Sequence, residues 1–289
     1  MLKVVHLILA HNRPQQLHRL INELLIGEDV VFVHLDKKAN LSDFSFLQNT
    51  RNVFLISKNY KVNWGGFNLV KAIISSIQQI QSSKLDYDFL NILSGQDYPL
   101  KPITQFHAFL EDNTQTSFLE VHLPGHPWLE GLRPRLNDYH MTDFTFRGST
   151  LLEGLMTKVL PRRKLPADLC LVGHSCWMTI TREAVQYLNE YLTKNSKILK
   201  RFEFTWGADE IFIQSILYSS PLKSKIKTNN NLRYIDWSEQ QPSPKTLTMV
   251  DRFALTSTSS FFGRKFDENV DSSILDYIDC ELLRRNNES

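Results

Sequence analysis

The chain has 289 residues, of which 42% are hydrophobic and 22% are charged, and its formal net charge is +2. These values are ordinary for a soluble globular protein, and the near-neutral charge argues against a general nucleic-acid binder. The length is sufficient for one large core or two modest ones. The three cysteines fit no disulfide framework or zinc pattern, which favours a reducing compartment.

The first half of the chain alternates strand and helix patterns. Buried strands are predicted at residues 4–10, 30–35, 53–56 and 89–93, and helices at residues 14–25 and 66–80. This alternation predicts a mostly parallel α/β sheet flanked by helices. The apolar run at the N-terminus lacks a small-residue cleavage site, so we interpret it as the first strand rather than a signal peptide.

The second half is less regular. Its predicted elements are a helix at 103–110, strands at 117–121 and 176–180, a helix capped by Thr181, and helices at 208–217 and 270–283. Residues 124–168 are expected to form an irregular insertion that carries substrate contacts. We therefore expect one domain, with a nucleotide-binding half at 1–115 and an acceptor-binding and catalytic half at 116–289.

Residues 87–100, Y-D-F-L-N-I-L-S-G-Q-D-Y-P-L, form the most informative stretch. The strand breaks at Ser94-Gly95, and Asp97 follows just past its end, before Pro99 is expected to stop regular structure. Ligands bind at the carboxyl ends of strands in open α/β sheets, and a carboxylate is costly to bury there unless something uses it. This segment is predicted to be the floor of a nucleotide or sugar site.

Two other segments are candidates for nucleotide contacts. Asp36 follows the second strand, where it can accept hydrogen bonds from a base or ribose hydroxyl, or simply form a turn beside surface lysines. Trp64, Gly65 and Gly66 precede a helix. Paired glycines allow close backbone approach, and a helix N-terminus attracts anions, although Gly-Gly before a helix is a common pattern.

Charged residues in the second half have two interpretations each. Glu210 could serve as a general base towards an acceptor hydroxyl, or it could be one of the acidic residues that favour a helix N-terminus. Arg233 and Lys265 come from separate segments and could clamp a diphosphate, the arginine through its fork and the lysine as a compact charge. The alternative for both cations is ordinary surface charge anchored by aromatic neighbours.

Several familiar patterns are missing. The sequence contains neither G-x-G-x-x-G nor G-x-x-x-x-G-K-[ST], and no G-x-S-x-G nucleophile elbow. At the position where a metal-dependent sugar-nucleotide transferase would carry D-x-D, this chain reads S-G-Q-D. A lone Asp97 there is a poor magnesium site, because Mg²⁺ is usually bound by one or two carboxylates plus substrate phosphates.

Seven motifs then occur in order: H-L-D-K-K-A, W-G-G, N-I-L-S-G-Q-D-Y-P-L, G-H-S-C-W-M-T-I-T-R-E, G-A-D-E-I-F, N-N-L-R-Y-I-D-W and F-F-G-R-K-F-D. Together they resemble the core-2/I-branching β-1,6-N-acetylglucosaminyltransferase and peptide O-xylosyltransferase family, over nearly the whole chain. The resemblance implies a GT-A-type nucleotide-sugar fold, an inverting reaction, a UDP-sugar donor, and no metal or other cofactor.

The resemblance also implies roles for individual residues. Glu210 matches the catalytic base of the branching enzymes. Nucleotide-sugar contacts are implied at His11, Asp36, Trp64, Gly65, Asp97, Arg233 and Lys265, of which the last two hold the UDP diphosphate in place of a metal. Acceptor contacts are expected in and beside the irregular segment, at Glu120, Trp128, Arg133 and Arg135.

The donor sugar stays open. Xylosyltransferases of this family carry an Asp before the tryptophan of G-S-D-W, where this chain has Cys176, which favours N-acetylglucosamine. The tail motif F-F-G-R-K-F is closer to the xylosyltransferases, so transfer of xylose is the alternative. A different class of protein, a nucleotide-sugar or glycan binder without catalysis, is also open.

The remaining expectations concern location and partners. The animal enzymes carry a membrane anchor and many cysteines, and the lack of both here suggests a compact cytoplasmic version acting on a glycan or lipid-linked acceptor, without nucleic acid. Basic clusters at residues 158–164, 194–201 and 223–227 are consistent with a solvated face or with contact with an anionic membrane surface.

Overall fold

A computed structural model describes residues 2–284. The strands, in chain order, are β1 (Val4–Ala10), β2 (Val30–Leu35), β3 (Val53–Leu55), β4 (Phe89–Ser94), β5 (Asp97–Pro99), β6 (Ser117–Phe118), β7 (Val121–His122), β8 (Gly173–His174), β9 (Met178–Thr181), β10 (Ile226–Lys227), β11 (Arg233–Ile235) and β12 (Phe262–Arg264). The α-helices are α1 (Pro14–Leu24), α2 (Asn68–Ser82), α3 (Ile103–Glu111), α4 (Pro127–Glu130), α5 (Arg133–Asn137), α6 (Ser149–Val159), α7 (Arg182–Lys194), α8 (Lys197–Phe202), α9 (Phe212–Tyr218), α10 (Arg252–Ser257) and α11 (Ser273–Tyr277), the last continued by a π-helical stretch, Ile278–Leu283.

The chain divides into two compact units. The first unit contains the described parts of segments 1–57, 86–115 and 232–289, and the second contains segments 58–85 and 116–231. The chain leaves the first unit and enters the second after residue 115, at the position where the division into halves was predicted. The C-terminal segment belongs with the N-terminal one, which sequence patterns did not indicate.

The first unit is built on four parallel strands in the order β4-β1-β2-β3. All seven residues of β1 are buried, as expected for a parallel strand covered on both faces. The register sets Ala10 beside Leu35 and Leu9 beside Ser94, so β1, β2 and β4 end at one edge. The predicted α/β fold with a mainly parallel sheet is confirmed.

A second, three-stranded sheet of this unit has the order β11-β12-β5. Strand β5 ends at Pro99, where regular structure was expected to stop, but the strand itself was not predicted: Asp97–Pro99 pairs antiparallel with β12. The proline is tolerated since β5 lies at the edge of this sheet, where one side of the strand needs no backbone donor.

The second unit contains the strand order β10-β6-β9 and a separate antiparallel pair, β7-β8. The predicted strand at 117–121 is split into two short strands, β6 and β7. Thr181 caps α7 as expected: its side-chain oxygen accepts a hydrogen bond from the Ala184 N–H at 3.3 Å.

Two predictions for this unit need correction. The segment 124–168 is not irregular throughout, since it contains α4, α5 and α6. The helix predicted at 208–217 begins only at Phe212. Residues Ala208–Glu210 form a 3₁₀ turn, and Ile211, at φ −133° and ψ −25°, separates the turn from α9.

Candidate active site

In the first unit, His11 and Asp36 follow the carboxyl ends of β1 and β2. The Asp36 N–H donates to the Ala10 carbonyl at 2.8 Å, which ties the two strand ends together. Oδ1 of Asp36 accepts from the Lys38 N–H at 2.7 Å, and its carboxylate is only 6% exposed. Asp36 therefore forms the turn that was one of its two interpretations. A ligand that bound Asp36 would meet a carboxylate already oriented by this hydrogen bond.

The imidazole of His11 lies in a mainly cationic environment. Its pKa is lowered, chiefly because the ring is partly desolvated, and three neighbouring cations act in the same direction: Lys38, Arg13 and Arg264. Asp36 opposes them. His11 is therefore held neutral at neutral pH, as a hydrogen-bonding group rather than a charge.

Asp97 is fully buried and forms an ion pair with Arg264. Oδ1 of Asp97 lies 2.6 Å from Nη1 of Arg264, and Oδ2 accepts from the Ser94 N–H at 3.0 Å. The antiparallel register, which sets Arg264 opposite Asp97, produces this pair. The carboxylate thus orients a cation at the edge of the sheet, and direct contact between Asp97 and a nucleotide sugar stays a prediction.

Arg233 and Lys265 lie in different environments. Nη2 of Arg233 donates to Oδ1 of Asn91 and, at 3.0 Å, to the Ile92 carbonyl, and the residue is 6% exposed. Lys265 is half-buried, with Nζ 3.1 Å from Oγ of Ser243. Arg233 therefore ties β11 to β4, and a role for its guanidinium towards a diphosphate stays a prediction.

The pKa of Lys265 is lowered, first by desolvation and then by the neighbouring charge of Arg264. Asp267 and Glu239 act in the opposite direction. A bound anion would offset the repulsion between Lys265 and Arg264. A role for Lys265 towards a diphosphate stays a prediction.

In the second unit, Trp64 and Gly65 pack against the segment that leads to Glu210. The Gly207 N–H donates to the Gly65 carbonyl at 2.8 Å, and the rings of Trp64 and Trp206 meet edge to face at 4.9 Å. Gly65 has φ +71°, and a Cβ there would lie 2.5 Å from Nε1 of Trp206. The glycine is required for this close approach, and a nucleotide-sugar contact by Trp64 or Gly65 stays a prediction.

The helix N-terminus after the glycine pair already binds an anion, a carboxylate of the same unit. Oδ2 of Asp143 accepts from the Asn68 N–H, the first of α2, at 2.7 Å. A Cβ on Gly66 would overlap Oδ1 of Asp143. The anion that was predicted to lie at this helix N-terminus is therefore the carboxylate of Asp143.

Glu210 lies in the 3₁₀ turn before α9, not in the first turn of a helix. Gly207, at φ +66°, begins this turn, and its carbonyl accepts from the Glu210 N–H at 3.2 Å. The turn and Ile211 precede α9, so the helix-dipole explanation for the acidic pair loses its structural basis.

The pKa of the Glu210 carboxyl group lies close to neutral pH. Its side chain is 36% exposed, with Oε2 3.4 Å from Nη1 of Arg135. Desolvation and the adjacent Asp209 raise the pKa of Glu210 to about 7, against the opposing effect of Arg135. Desolvation also raises the pKa of Asp209, to about 6, although Asp209 interacts with the Cys176 thiol.

A cluster of imidazoles lies on the β7-β8 pair. His122 stacks on His126 with ring centroids 3.7 Å apart and on His174 at 4.4 Å. Trp128 meets His174 edge to face at 5.9 Å. Burial and the two neighbouring histidines lower the pKa of His122 to about 4, so the central ring stays neutral.

This histidine cluster adjoins the predicted acceptor residues. Oε1 of Glu120 lies 4.0 Å from Nε2 of His174. A Cβ on Gly173, the residue before His174, would overlap the Glu210 carbonyl oxygen, so β8 packs directly on the turn that holds Glu210. The structure thus groups Glu120 with Trp128, and Arg135 with Glu210. The Arg133 side chain lies outside the described part of the chain.

Sequence reasoning missed several of these residues. Trp206, Asp143 and the three histidines were not singled out. Signals for some of them exist, since Trp206 directly precedes the G-A-D-E motif, His174 lies within G-H-S-C-W, and His122, His126 and Trp128 share one short segment, H-L-P-G-H-P-W. Nothing in the sequence pattern marks Asp143, because its role depends on the fold of a distant helix.

Residues 2–284 contain no group of three or more His, Cys, Asp or Glu side chains arranged to hold a metal ion. None of the helices in this part of the chain combines the length and the apolar character needed to cross a bilayer.

The mixed α/β fold with its mainly parallel central sheet is of the GT-A type. The chain belongs to the core-2/I-branching enzyme family, whose model matches residues 4–261.

Curated relatives carry a further similarity. Xylosyltransferase 2 of Rattus norvegicus is 24% identical over 308 residues, covering 98% of this chain and 34% of the relative. Xylosyltransferase 1 of Homo sapiens is 24% identical over 303 residues, covering 97% and 30%. Xylosyltransferase oxt of Drosophila pseudoobscura pseudoobscura is 24% identical over 297 residues, covering 94% and 32%. The chain therefore spans about a third of the length of these relatives.

Proposed function

We propose that this protein is an inverting, metal-independent glycosyltransferase that moves a sugar from a UDP-sugar to a hydroxyl group of a glycan acceptor. Membership of the core-2/I-branching family supports transfer of a sugar. The observation that carries the mechanism is Glu210, a half-exposed carboxylate with a pKa of about 7 next to Arg135. A base of this pKa is close to the optimum for neutral pH.

In the proposed reaction, Glu210 accepts the proton of the acceptor hydroxyl while that oxygen attacks the anomeric carbon of the donor. The bond from the anomeric carbon to the phosphate oxygen breaks, and UDP leaves with the electron pair. The configuration at the anomeric carbon is inverted, because the acceptor oxygen attacks on the face opposite to the one from which UDP leaves. The histidine cluster and Trp128 present aromatic faces next to the turn of Glu210, which suits packing against a sugar ring.

Negative charge grows on the departing diphosphate, and we assign its stabilisation to Lys265 and Arg233. Lys265 has the lowered pKa expected of a cation that lacks a full hydration shell. Preorganised cations and donors of this kind are worth about 10²–10³ in rate each. The assignment predicts full activity in EDTA, whereas loss of activity that Mn²⁺ restores would overturn the metal-free mechanism.

The donor sugar is proposed to be xylose or N-acetylglucosamine. The names of the curated relatives favour xylose. The sequence argument for N-acetylglucosamine was the Cys176 position, and the thiol there interacts with Asp209, directly beside Glu210. An Asp in place of Cys176 would put a third carboxylate next to these two, so this position is well placed to tune the base.

A UDP-release screen tests the proposal. The full chain is incubated with UDP-xylose, UDP-N-acetylglucosamine, UDP-glucose and UDP-galactose, with and without a panel of glycan acceptors, while calorimetry measures UDP binding. Release of UDP from one donor supports transfer and names the sugar. Tight UDP binding without release from any donor would instead identify a nucleotide-sugar-binding protein. No UDP binding would contradict both.

A further inference from the structure

Helix α6 has its polar side turned towards the protein and its apolar side turned outward. None of its eleven residues is buried. Oε2 of Glu153 accepts from the Met141 N–H at 2.9 Å, and Oγ1 of Thr157 accepts from the Tyr139 N–H at 3.1 Å. A surface helix in water normally shows the reverse arrangement, with its apolar stripe facing the core.

The outward side carries large hydrophobic residues at helical spacing. Leu151 is 82% exposed, Leu155 is 57% exposed and Val159 is 70% exposed, at positions i, i+4 and i+8. Four further exposed apolar residues lie on α6 or close to it in sequence: Phe144, Phe146, Leu152 and Leu160. We call these seven residues the α6 face. Large apolar side chains exposed together on one helix and its flanking residues mark a surface that another body covers.

The charge around the α6 face is positive. Four exposed cations lie within this stretch of sequence or just after it: Arg147, Lys158, Arg162 and Lys164. Between residues 145 and 165 the sequence has a single acidic residue, Glu153, and its carboxylate is engaged on the inward side with the Met141 N–H and with His140. Apolar side chains bordered by cations complement a bilayer with anionic headgroups, where the leucines enter the interface and the cations meet the phosphates.

We propose that the α6 face docks this protein onto an anionic lipid bilayer, with the helix lying in the plane of the interface. The inference does not depend on the proposed function, since it rests on the exposure of the α6 side chains and on the charges around them. Its occupant is the membrane surface itself, which would also place the protein where lipid-linked acceptors are found.

Vesicle co-sedimentation of the full chain tests this proposal. Vesicles of equimolar phosphatidylglycerol and phosphatidylcholine are compared with pure phosphatidylcholine, at low and high salt. The native chain is expected to bind the anionic vesicles, more weakly at high salt. The variant Leu151→Gln/Leu155→Gln should lose about tenfold or more in binding, and Lys158→Gln/Arg162→Gln about fivefold per cation.

The matched control is Val250→Gln/Phe253→Gln, which removes two residues that are 80% and 70% exposed but lie outside the α6 face. It should bind vesicles like the native chain, and all variants should keep the native melting temperature because the altered side chains are exposed. Equal vesicle binding by the Leu151→Gln/Leu155→Gln variant, or no binding by the native chain, would overturn the proposal. A native dimer that this variant converts to monomer, without vesicle binding, would assign the face to a second copy and overturn it as well.

Discussion

The carboxylate of Glu210 lies 3.4 Å from the Nη1 atom of Arg135. Trp206 holds this arginine, since the guanidinium carbon lies 4.1 Å from the centroid of the indole ring. The same indole packs against Gly65 and Trp64. The environment of the proposed base is thus built from the W-G-G and W-G-A-D-E motifs, which are about 140 residues apart in sequence.

Substitution of Arg135 should change the pH dependence of turnover. Arg135 stabilises the ionised form of Glu210 and so lowers its pKa. In Arg135→Met that pKa rises, and kcat/KM at pH 7 should fall about two- to threefold, because the loss of a partly exposed ion pair of about 0.5–1 kcal/mol lowers the ionised fraction of a half-titrated base by that factor. Measurement from pH 5 to 9 should show the acidic limb displaced to higher pH, with Arg135→Lys close to the native profile. An unshifted acidic limb in Arg135→Met would show that Arg135 does not influence the pKa of the base.

Stability should also depend on Glu210 and pH. Because the folded-state pKa is raised to about 7, the folded protein binds a proton that the unfolded chain releases near its ordinary pKa of 4.5. Stability from this group is therefore full below about pH 4.5 and is lost as pH rises towards 7. Glu210→Gln should raise the melting temperature by about 1–3 °C at pH 8 and leave it unchanged at pH 4.5. An equal change at both pH values would argue against the raised pKa.

Gly65 offers a test of the packing beneath the site. Gly65→Ala adds a Cβ at φ +71°, which costs about 1–2 kcal/mol in the backbone, and also forces the side chain against Trp206. Gly125 has φ +93° with no neighbour within 4 Å of its Cβ position, so Gly125→Ala isolates the backbone cost. Urea unfolding should show Gly65→Ala as the less stable variant, and turnover should fall in it alone. Similar stability and activity in both would show that the contact with Trp206 is unimportant.

Substitution of Lys265 and substitution of Arg233 should have different effects on UDP binding and on the melting temperature. Lys265→Met is expected to weaken UDP binding about ten- to hundredfold, as for a lost charge-assisted hydrogen bond, at an unchanged melting temperature. Arg233→Met should weaken UDP binding and also lower the melting temperature by several degrees, because buried partners of Arg233 on β4 lose their donor. Calorimetry and thermal unfolding measure both quantities, with Lys265→Arg as the charge-conserving control.

The outcome for Arg233 is decisive for its role. If Arg233→Met melts earlier but binds UDP like the native chain, the guanidinium only ties β11 to β4 and does not belong to the clamp. If Lys265→Met leaves UDP binding unchanged, the proposed metal-free stabilisation of the leaving group loses its main support.

The elements that were predicted correctly are those whose signal lies in the local sequence. The continuous apolar runs of β1, β2 and β4 indicated buried parallel strands, and Pro14 and Thr181 marked the starts of α1 and α7. Glycine positions in W-G-G and W-G-A-D-E were noticed as motifs, but their contact with one another could not be predicted, since it joins segments through tertiary packing.

The parts that escaped prediction depend on partners distant in sequence. Pro99 lies in a strand because the distant β12 pairs with it. Asp143 caps α2 from a segment that looked irregular. The ion pair of Asp97 with Arg264, 167 residues away, could not be foreseen either, and the predicted ligand contact of Asp97 stays a prediction. Periodicity and propensity carry no information about such pairs.

The central claim, that Glu210 is the base, is tested most directly by the transfer rate of Glu210→Gln from pH 5 to 9, with the donor and acceptor found by UDP release. We predict that this variant loses about 10²–10⁴ in rate while still binding UDP, and that it lacks the acidic limb that the native chain should show near pH 7. A Glu210→Gln rate within about threefold of native, with that limb retained, would contradict the account.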